Sequence, residues 1–201
     1  MSAAAQPLLI ATRNAHKTAE IRAILGPRFA VSDLTNRPDL PEVAETGTTF
    51  LANATLKAVA ISRLVDGLVL ADDSGLEVDA LAGAPGVHSA RYAGGQGDTA
   101  ANNAKLVAEL TRLALTEPAT ARFRCVIVLA RGGEVLGEFA GSVEGCVTPT
   151  ASGAGGFGYD PLFVPAGHQL SFAELPAEVK NSLSHRGHAL AMAAAWLANH
   201  L

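Results

Sequence analysis

Apolar residues along this chain follow two spacings, one typical of strands and one typical of helices. Compact or alternating apolar runs predict strands at residues 8–11, 31–34, 69–71, 121–130 and 135–147. Apolar residues at helical spacing predict helices through Ile21, over residues 49–64, 98–113 and 177–183, and through Leu190. The two longest strands flank a Gly-Gly turn at residues 132–133, so we expect them to form the core of a sheet.

Composition describes a globular chain. A length of 201 residues suits one domain over residues 1–201. No apolar run is long enough to cross a bilayer, so no membrane partner is expected. The first residues lack the basic and apolar parts of a secretory signal, which favours a cytoplasmic location. The net charge of -4 argues against a nucleic-acid partner, whereas a free nucleotide needs only a few cationic side chains and a divalent cation.

Two adjacent carboxylates, Asp72 and Asp73, follow the apolar run 69–71. This pattern is typical of a buried strand that delivers acids to its carboxyl end. Neighbouring side chains in a strand point to opposite sides, so both acids can face one ligand only if the backbone turns, which Gly75 makes possible. The alternative is an Asx-type turn with the acids in solvent or capping backbone amides.

Three lysines could meet a phosphate chain. Asn14 and Lys17 lie where a strand leads into a helix, and free amides at a helix start bind anions. The alternative makes Asn14 a helix cap and Lys17 a solvated residue. Lys57 falls beside the apolar stripe of helix 49–64, where it either extends toward solvent or projects toward a triphosphate. Lys180 lies on the predicted helix 177–183.

The glycine-rich segment 152–158 is not a dinucleotide fingerprint, because no helix is predicted after it, and the chain has no P-loop. Its glycines would let Phe157 approach a planar base, or Phe157 fills a gap in the core. The Arg186 guanidinium suits an exocyclic oxygen or a phosphate, and its alternative is a surface ion pair with Glu174 or Glu178. His185 and His188 could form a metal pair, but no further Cys or His lies nearby to complete a metal site.

The two cysteines, Cys125 and Cys146, lie in apolar surroundings and are predicted to be buried small hydrophobic residues. We expect neither a disulfide nor a metal ligand from them.

Five blocks of this sequence resemble the inosine triphosphate pyrophosphatase family, whose members hydrolyse dITP, ITP and XTP to the monophosphate and pyrophosphate. The blocks are residues 71–81 with 83–92, 12–17, 49–57, 157–161 and 180–186, in the order of that family. The resemblance implies an α/β fold, a long twisted mixed sheet flanked by helices, with two lobes and an active-site cleft between them. It also implies a purine nucleoside triphosphate substrate, Mg²⁺ as cofactor and a homodimer.

The resemblance assigns a role to each matching residue. It implies that Asp73 and Glu45 bind magnesium, that Asp73 is also the catalytic base, and that Asp72 and Lys57 assist. The implied substrate contacts are Thr12, Arg13, Asn14, Ala15, His16, Lys17, Ser74, Phe157, Gly158, Tyr159, Asp160, Lys180, His185 and Arg186. This chain has Ala52 where the family usually has Glu, His88 where an aromatic residue is usual, and Ala44 where some members carry an acid.

Two other function classes fit the sequence less well. A nucleotide-binding regulator on the same scaffold would have lost Lys17 or the Asp pair, and both are present. A serine hydrolase that uses Ser74 would need a G-x-S-x-G elbow, which does not surround that residue.

Overall fold

A six-stranded mixed sheet organises the chain in the computed structural model, which describes residues 5–95 and 97–200. The strands are β1 (Gln6–Ile10), β2 (Phe29–Asp33), β3 (Leu68–Val78), β4 (Ala119–Arg131), β5 (Glu134–Val147) and β6 (Phe163–Pro165), in the order β2-β1-β3-β4-β5-β6. Strand β1 is parallel to β2 and β3, whereas β5 is antiparallel to β6. The predicted α/β fold with a mixed sheet is confirmed.

Within the described residues, five α-helices accompany the sheet: α1 (Ala15–Leu25), α2 (Phe50–Ser62), α3 (Thr99–Arg112), α4 (Ala177–Leu183) and α5 (His185–His200). The first three start at side chains that accept hydrogen bonds from exposed backbone amides, namely Asn14, Thr49 and Asp98. Over residues 5–95 and 97–200, no helix has the length and apolar character needed to span a membrane.

The chain divides into two compact units. Unit 1 comprises the described residues of Met1–Asp73, Cys125–Gly141 and Arg186–Leu201, and unit 2 those of Ser74–Arg124 and Ser142–His185. The predicted domain over residues 1–201 stays a prediction.

In unit 1, β3 and β4 are buried on both faces, because alternate residues enter two different clusters. Leu70 and Cys125 pack in one cluster with residues of α1 and α5, whereas Ala71 and Val128 pack in the other with residues of α2. Helices on both faces of a parallel sheet require strands that are apolar throughout. This requirement explains the continuous apolar runs in β1 and in the first half of β3.

Unit 2 has its own aromatic core. Phe123 on β4 lies 4.8 Å from the ring of Phe163 and 6.0 Å from that of Phe172, measured between ring centroids. Leu106 and Leu110 of α3 join the same cluster, as their helical spacing predicted.

Strand β3 differs from the prediction in one respect. It continues in extended form through Asp72, Asp73 and Gly75 to Val78, instead of ending at the acids. The two carboxylates therefore occupy the middle of a strand, and neither the turn that Gly75 would allow nor the alternative Asx-type turn forms.

The two thiols differ in burial. Cys125 is fully buried, as predicted, whereas Cys146 is only half-buried, so the prediction holds for the first alone. Both are free thiols, as expected.

Candidate active site

Asp72 and Asp73 lie on opposite faces of β3. Side chains alternate along a strand, so Asp72 shares a face with Leu70 and Asp73 shares a face with Ala71. Their contacts agree, because Asp72 meets Cys125 and Asp73 meets Lys57 of α2. The two acids therefore have separate surroundings in unit 1.

Asp72 is a fully buried carboxylate whose two oxygens are both bonded. Lys17 Nζ donates to Oδ1, while Arg186 Nε and Cys125 Sγ each lie 3.0 Å from Oδ2. Burial alone would raise the pKa of Asp72, but Arg186, Lys17 and the Cys125 hydrogen bond together hold it well below its ordinary value. Asp72 is therefore an ionised anchor for two cations.

Asp73 has the opposite character. Its Oδ1 lies 3.7 Å from Lys57 Nζ, and its buried Oδ2 has no hydrogen-bond partner within the described residues. Burial, reinforced by the charge of Glu45, raises the pKa of Asp73 against the opposing effects of Lys57 and Lys17. The side-chain amide of Asn53 also lowers the pKa of Asp73, by less than the two lysines do. It makes no hydrogen bond of normal geometry to Oδ2.

Lys57 connects Glu45 to Asp73. Its Nζ lies 2.5 Å from Glu45 Oε1 and donates to the backbone carbonyl of Asp72 at 2.8 Å. Burial would lower the pKa of Lys57, but the charges of Asp73 and Glu45 outweigh this effect and raise it. Two carboxylates therefore converge on one ammonium group.

This carboxylate pair fits a magnesium ion. Asp73 Oδ2 is a buried oxygen with an unused acceptor, and Mg²⁺ prefers oxygen ligands. Within the described residues, no three His, Cys, Asp or Glu side chains form a metal-binding group. One or two carboxylates suffice for Mg²⁺, because it takes its other ligands from water and substrate phosphates. Asp73 and Glu45 would hold it.

The segment before α1 is held by its own side chains. Thr12 Oγ1 accepts from the amide of Asn14 at 3.1 Å, and Asn14 Oδ1 accepts from the amides of His16 and Lys17 at 3.0 and 3.2 Å. Asn14 is thus the helix cap of the alternative interpretation. Lys17 is not solvated, since it pairs with Asp72.

Arg13 faces the loop that follows β2. Its guanidinium donates to the backbone carbonyls of Leu34, Arg37 and Leu40, the last at 2.8 Å. The side chain therefore braces two loops against each other. Ala15 and His16 open α1 as exposed residues.

Arg186 is buried between two acids. Besides the bond to Asp72, its Nη1 donates to Glu20 Oε2 at 2.7 Å, and these charges overcome burial and raise its pKa. The alternative of a surface pair with Glu174 or Glu178 is wrong, because the guanidinium is buried and binds other carboxylates. Its predicted contact with the base stays a prediction.

In unit 2, Asp160 fixes the loop that carries Phe157. Asp160 Oδ2 accepts from the Phe157 amide at 2.8 Å and from Lys180 Nζ at 2.6 Å. Lys180 Nζ also lies 5.1 Å from the centre of the Phe157 ring, which is half-buried. Gly156 makes this possible, since a Cβ at its φ of +68° would overlap Asp160 Oδ2.

The remaining predicted residues lie around this loop or on β3. The Tyr159 hydroxyl donates to the Ser89 carbonyl at 2.8 Å, and burial raises the pKa of Tyr159. Gly158 has a φ of +62°. Its carbonyl accepts from Asn103 Nδ2 at 3.1 Å. The buried His185 ring stacks on Phe123 at 4.8 Å, and Ser74 is half-buried in β3.

Sequence reasoning missed Glu20, Cys125, Asn53 and Ser89. Glu20 had a local signal, because it lies three residues after Lys17 on the same face of α1. Cys125 had a weaker signal, namely the alternation of buried and exposed residues along β4 that separates it from Arg124. The contacts of both with distant residues have no signature in a single sequence.

Most of the chain is similar to known proteins. Residues 8–196 match the Ham1 family. The dITP/XTP pyrophosphatase of Halalkalibacterium halodurans is 48% identical over 190 residues, which are 94% of this chain and 97% of that protein. The dITP/XTP pyrophosphatase of Geobacter sulfurreducens is 49% identical over 186 residues, which are 92% and 93%.

Solved structures agree with the sequence matches. The structure of a HAM1 protein from Coxiella burnetii superposes with a TM-score of 0.85 at 35% identity, covering 96% of this chain and 99% of that one. Sequence motifs, fold and relatives lead to one family, and the chain belongs to the Ham1 family.

Proposed function

We propose that this protein hydrolyses dITP, ITP and XTP at the α–β phosphate bond, and releases the nucleoside monophosphate and pyrophosphate. The observation that carries the proposal is Asp73, a buried carboxylate with one oxygen unused, next to a lysine that it shares with Glu45. The relatives named dITP/XTP pyrophosphatase support the choice of substrate.

The residues of unit 1 would act on the phosphates. Lys17 and the loop from Thr12 contact the phosphate oxygens, Lys17 with its positive charge, and Lys57 holds Asp73 ionised and in place. Asp73 orients the attacking water and accepts its proton. Asp73 and Glu45 would hold magnesium, which when bound would supply further positive charge to the phosphates and make the attacking water more acidic.

The residues around Phe157 would hold the purine. Phe157 offers an aromatic face, and Asp160 and Lys180 keep its loop in place. Hypoxanthine and xanthine present an oxygen at position six where adenine presents an amino group. A hydrogen-bond donor to that oxygen, for which His185 is the predicted residue in unit 2, would therefore favour the first two bases, since an unmatched buried donor costs about 1 to 3 kcal/mol.

We also propose a homodimer, which the family resemblance supports, and a cytoplasmic location. These two assignments belong to the same proposal.

Product analysis tests the reaction. The protein is incubated with ITP, XTP, dITP, GTP or ATP, with Mg²⁺ or with chelator, and pyrophosphate and orthophosphate are measured separately. We expect pyrophosphate from the first three substrates only with Mg²⁺, and at least about a thousandfold less from Asp73→Asn. Orthophosphate as the first product, full activity in chelator, or binding of ITP without any product would each refute the proposal.

A further inference from the structure

The Asp72 carboxylate receives a hydrogen bond from a thiol. Cys125 Sγ lies 3.0 Å from Asp72 Oδ2, and Cys125 is fully buried in the cluster that also contains Ile127 and Leu129. Cys125 therefore has two possible roles: it fills space in the core, and it donates a hydrogen bond to the carboxylate.

The direction of this bond follows from the charge of its partner. An ionised carboxylate can only accept, so the thiol must donate. Burial and the charge of Asp72 raise the pKa of the Cys125 thiol, which keeps its proton in place. The same oxygen accepts from Arg186, while the other oxygen accepts from Lys17.

These donors fix the rotation of the Asp72 carboxylate. With both oxygens held, the group cannot turn about its Cβ–Cγ bond without breaking a hydrogen bond. That orientation places the Lys17 ammonium, which is near enough to Asp73 to lower its pKa. Loss of the thiol would remove one of the donors to Oδ2 and weaken the hold on the carboxylate with which Lys17 pairs.

We propose that Cys125 is a positioning residue for the reaction, whose thiol holds the Asp72 carboxylate so that Lys17 stays at the phosphate-binding position. This inference rests on the proposed function. It extends the site to a residue on β4 that touches neither substrate nor metal.

Two substitutions of Cys125 distinguish a hydrogen-bond donor from a residue that only fills the core. Serine keeps a donor but is polar, whereas alanine loses the donor and remains apolar. A residue that only fills the core would tolerate alanine better than serine, because a buried hydroxyl without a partner is unfavourable. If Cys125 is instead a donor to a buried carboxylate, serine should be tolerated better than alanine. Cys146→Ala is the matched control, since that thiol is half-buried and has no part in the site.

The experiment measures steady-state hydrolysis of ITP and thermal unfolding for wild type and the three variants. We expect Cys125→Ala to lower kcat by about fivefold with KM changed less than about twofold, the effect of one hydrogen bond. Cys125→Ser should retain more than half of the wild-type kcat and melt above Cys125→Ala, and Cys146→Ala should match wild type. Higher activity and a higher melting temperature for alanine than for serine would overturn the proposal.

A second measurement tests the route through Lys17. In a Lys17→Ala background, Cys125→Ala should lower kcat by less than about twofold, because the group that it positions is already gone. A full fivefold loss in that background would overturn the route. If wild type releases no pyrophosphate, the proposed function fails, while the order of melting temperatures still tests the hydrogen bond.

Discussion

Asp72 and Asp73 are neighbours in the chain, yet folding shifts their pKa values in opposite directions. The folded-state pKa of Asp72 lies below its ordinary value of 3.8, so its ionisation stabilises the fold above that pH and the gain is lost as pH falls through the folded pKa. Asp73 has a raised folded-state pKa, so the fold loses stability as pH rises from 3.8 through the raised value.

This difference predicts opposite effects of two similar substitutions. In chelator at pH 7, Asp73→Asn should raise stability by on the order of 1 kcal/mol, about 2 to 4 °C in Tm, because it removes a buried charge. Asp72→Asn should lower stability by about 3 kcal/mol or more, because the buried Arg186 loses one of its two carboxylate partners and Lys17 loses its ion pair. Calorimetry of both variants measures these opposite changes in stability.

The pH dependence is the internal control. The advantage of Asp73→Asn should shrink as pH falls toward 3.8, where the wild-type carboxyl becomes protonated in both states. Destabilisation by both variants, or a gain that does not change with pH, would contradict the assigned surroundings.

At the scale of single residues, the sequence identified most of the charged residues of the site but not their partners. Lys17 and Asp72 were both predicted, because each lies where a strand meets polar residues. Their ion pair spans 55 positions, and the bond between Arg186 and Glu20 spans 166. Local spacing carries no information on such pairs, so the anchoring role of Asp72 required the structure.

At the scale of elements, helix starts and the long hairpin were predictable because their signals are local. Asn14, Thr49 and Asp98 cap helices where the sequence suggested that helices begin. The continuation of β3 through the two acids was not predictable. Acids followed by Gly75 are typical of a turn when the neighbouring strands are unknown.

The Phe157 loop gives a prediction for one glycine. Gly156→Ala should displace Asp160 and release both Phe157 and Lys180, raising KM for ITP by about tenfold or more, whereas kcat changes less. The control is Gly167→Ala, which has a similarly positive φ of +81° but open space for a Cβ. Steady-state kinetics of both variants check this, and equal KM values would show that Asp160 does not hold a binding loop.

At the scale of the whole molecule, the family resemblance predicted the mixed sheet but no strand order. Strand β1 lies between β2 and β3 and is parallel to both, with α1 and α2 in the two connections. Parallel neighbours need such crossover connections. Apolar spacing predicts that these elements exist, but the order in which they pair depends on contacts far apart in the chain.

Binding of magnesium should stabilise the whole protein through its two carboxylates. At ten times the dissociation constant, the gain is about 1.4 kcal/mol, or about 3 to 6 °C in Tm. We expect this shift for wild type but not for Asp73→Asn or Glu45→Gln, measured by thermal unfolding without nucleotide. NaCl of equal ionic strength is the control. A shift of the same size in all three proteins would place the ion elsewhere.

The position of the acids within β3 has a consequence for changes in chain length. Leu68, Val69 and Leu70 pair in register with residues of β1, and this pairing determines which face each later residue meets. One residue added before Asp72 would put Asp72 in the place of Asp73 and Asp73 in the place of Ser74, and would leave an apolar or inserted residue among the cations that now hold Asp72. A single-residue insertion between Leu70 and Asp72 should therefore inactivate the protein even though no functional side chain is lost.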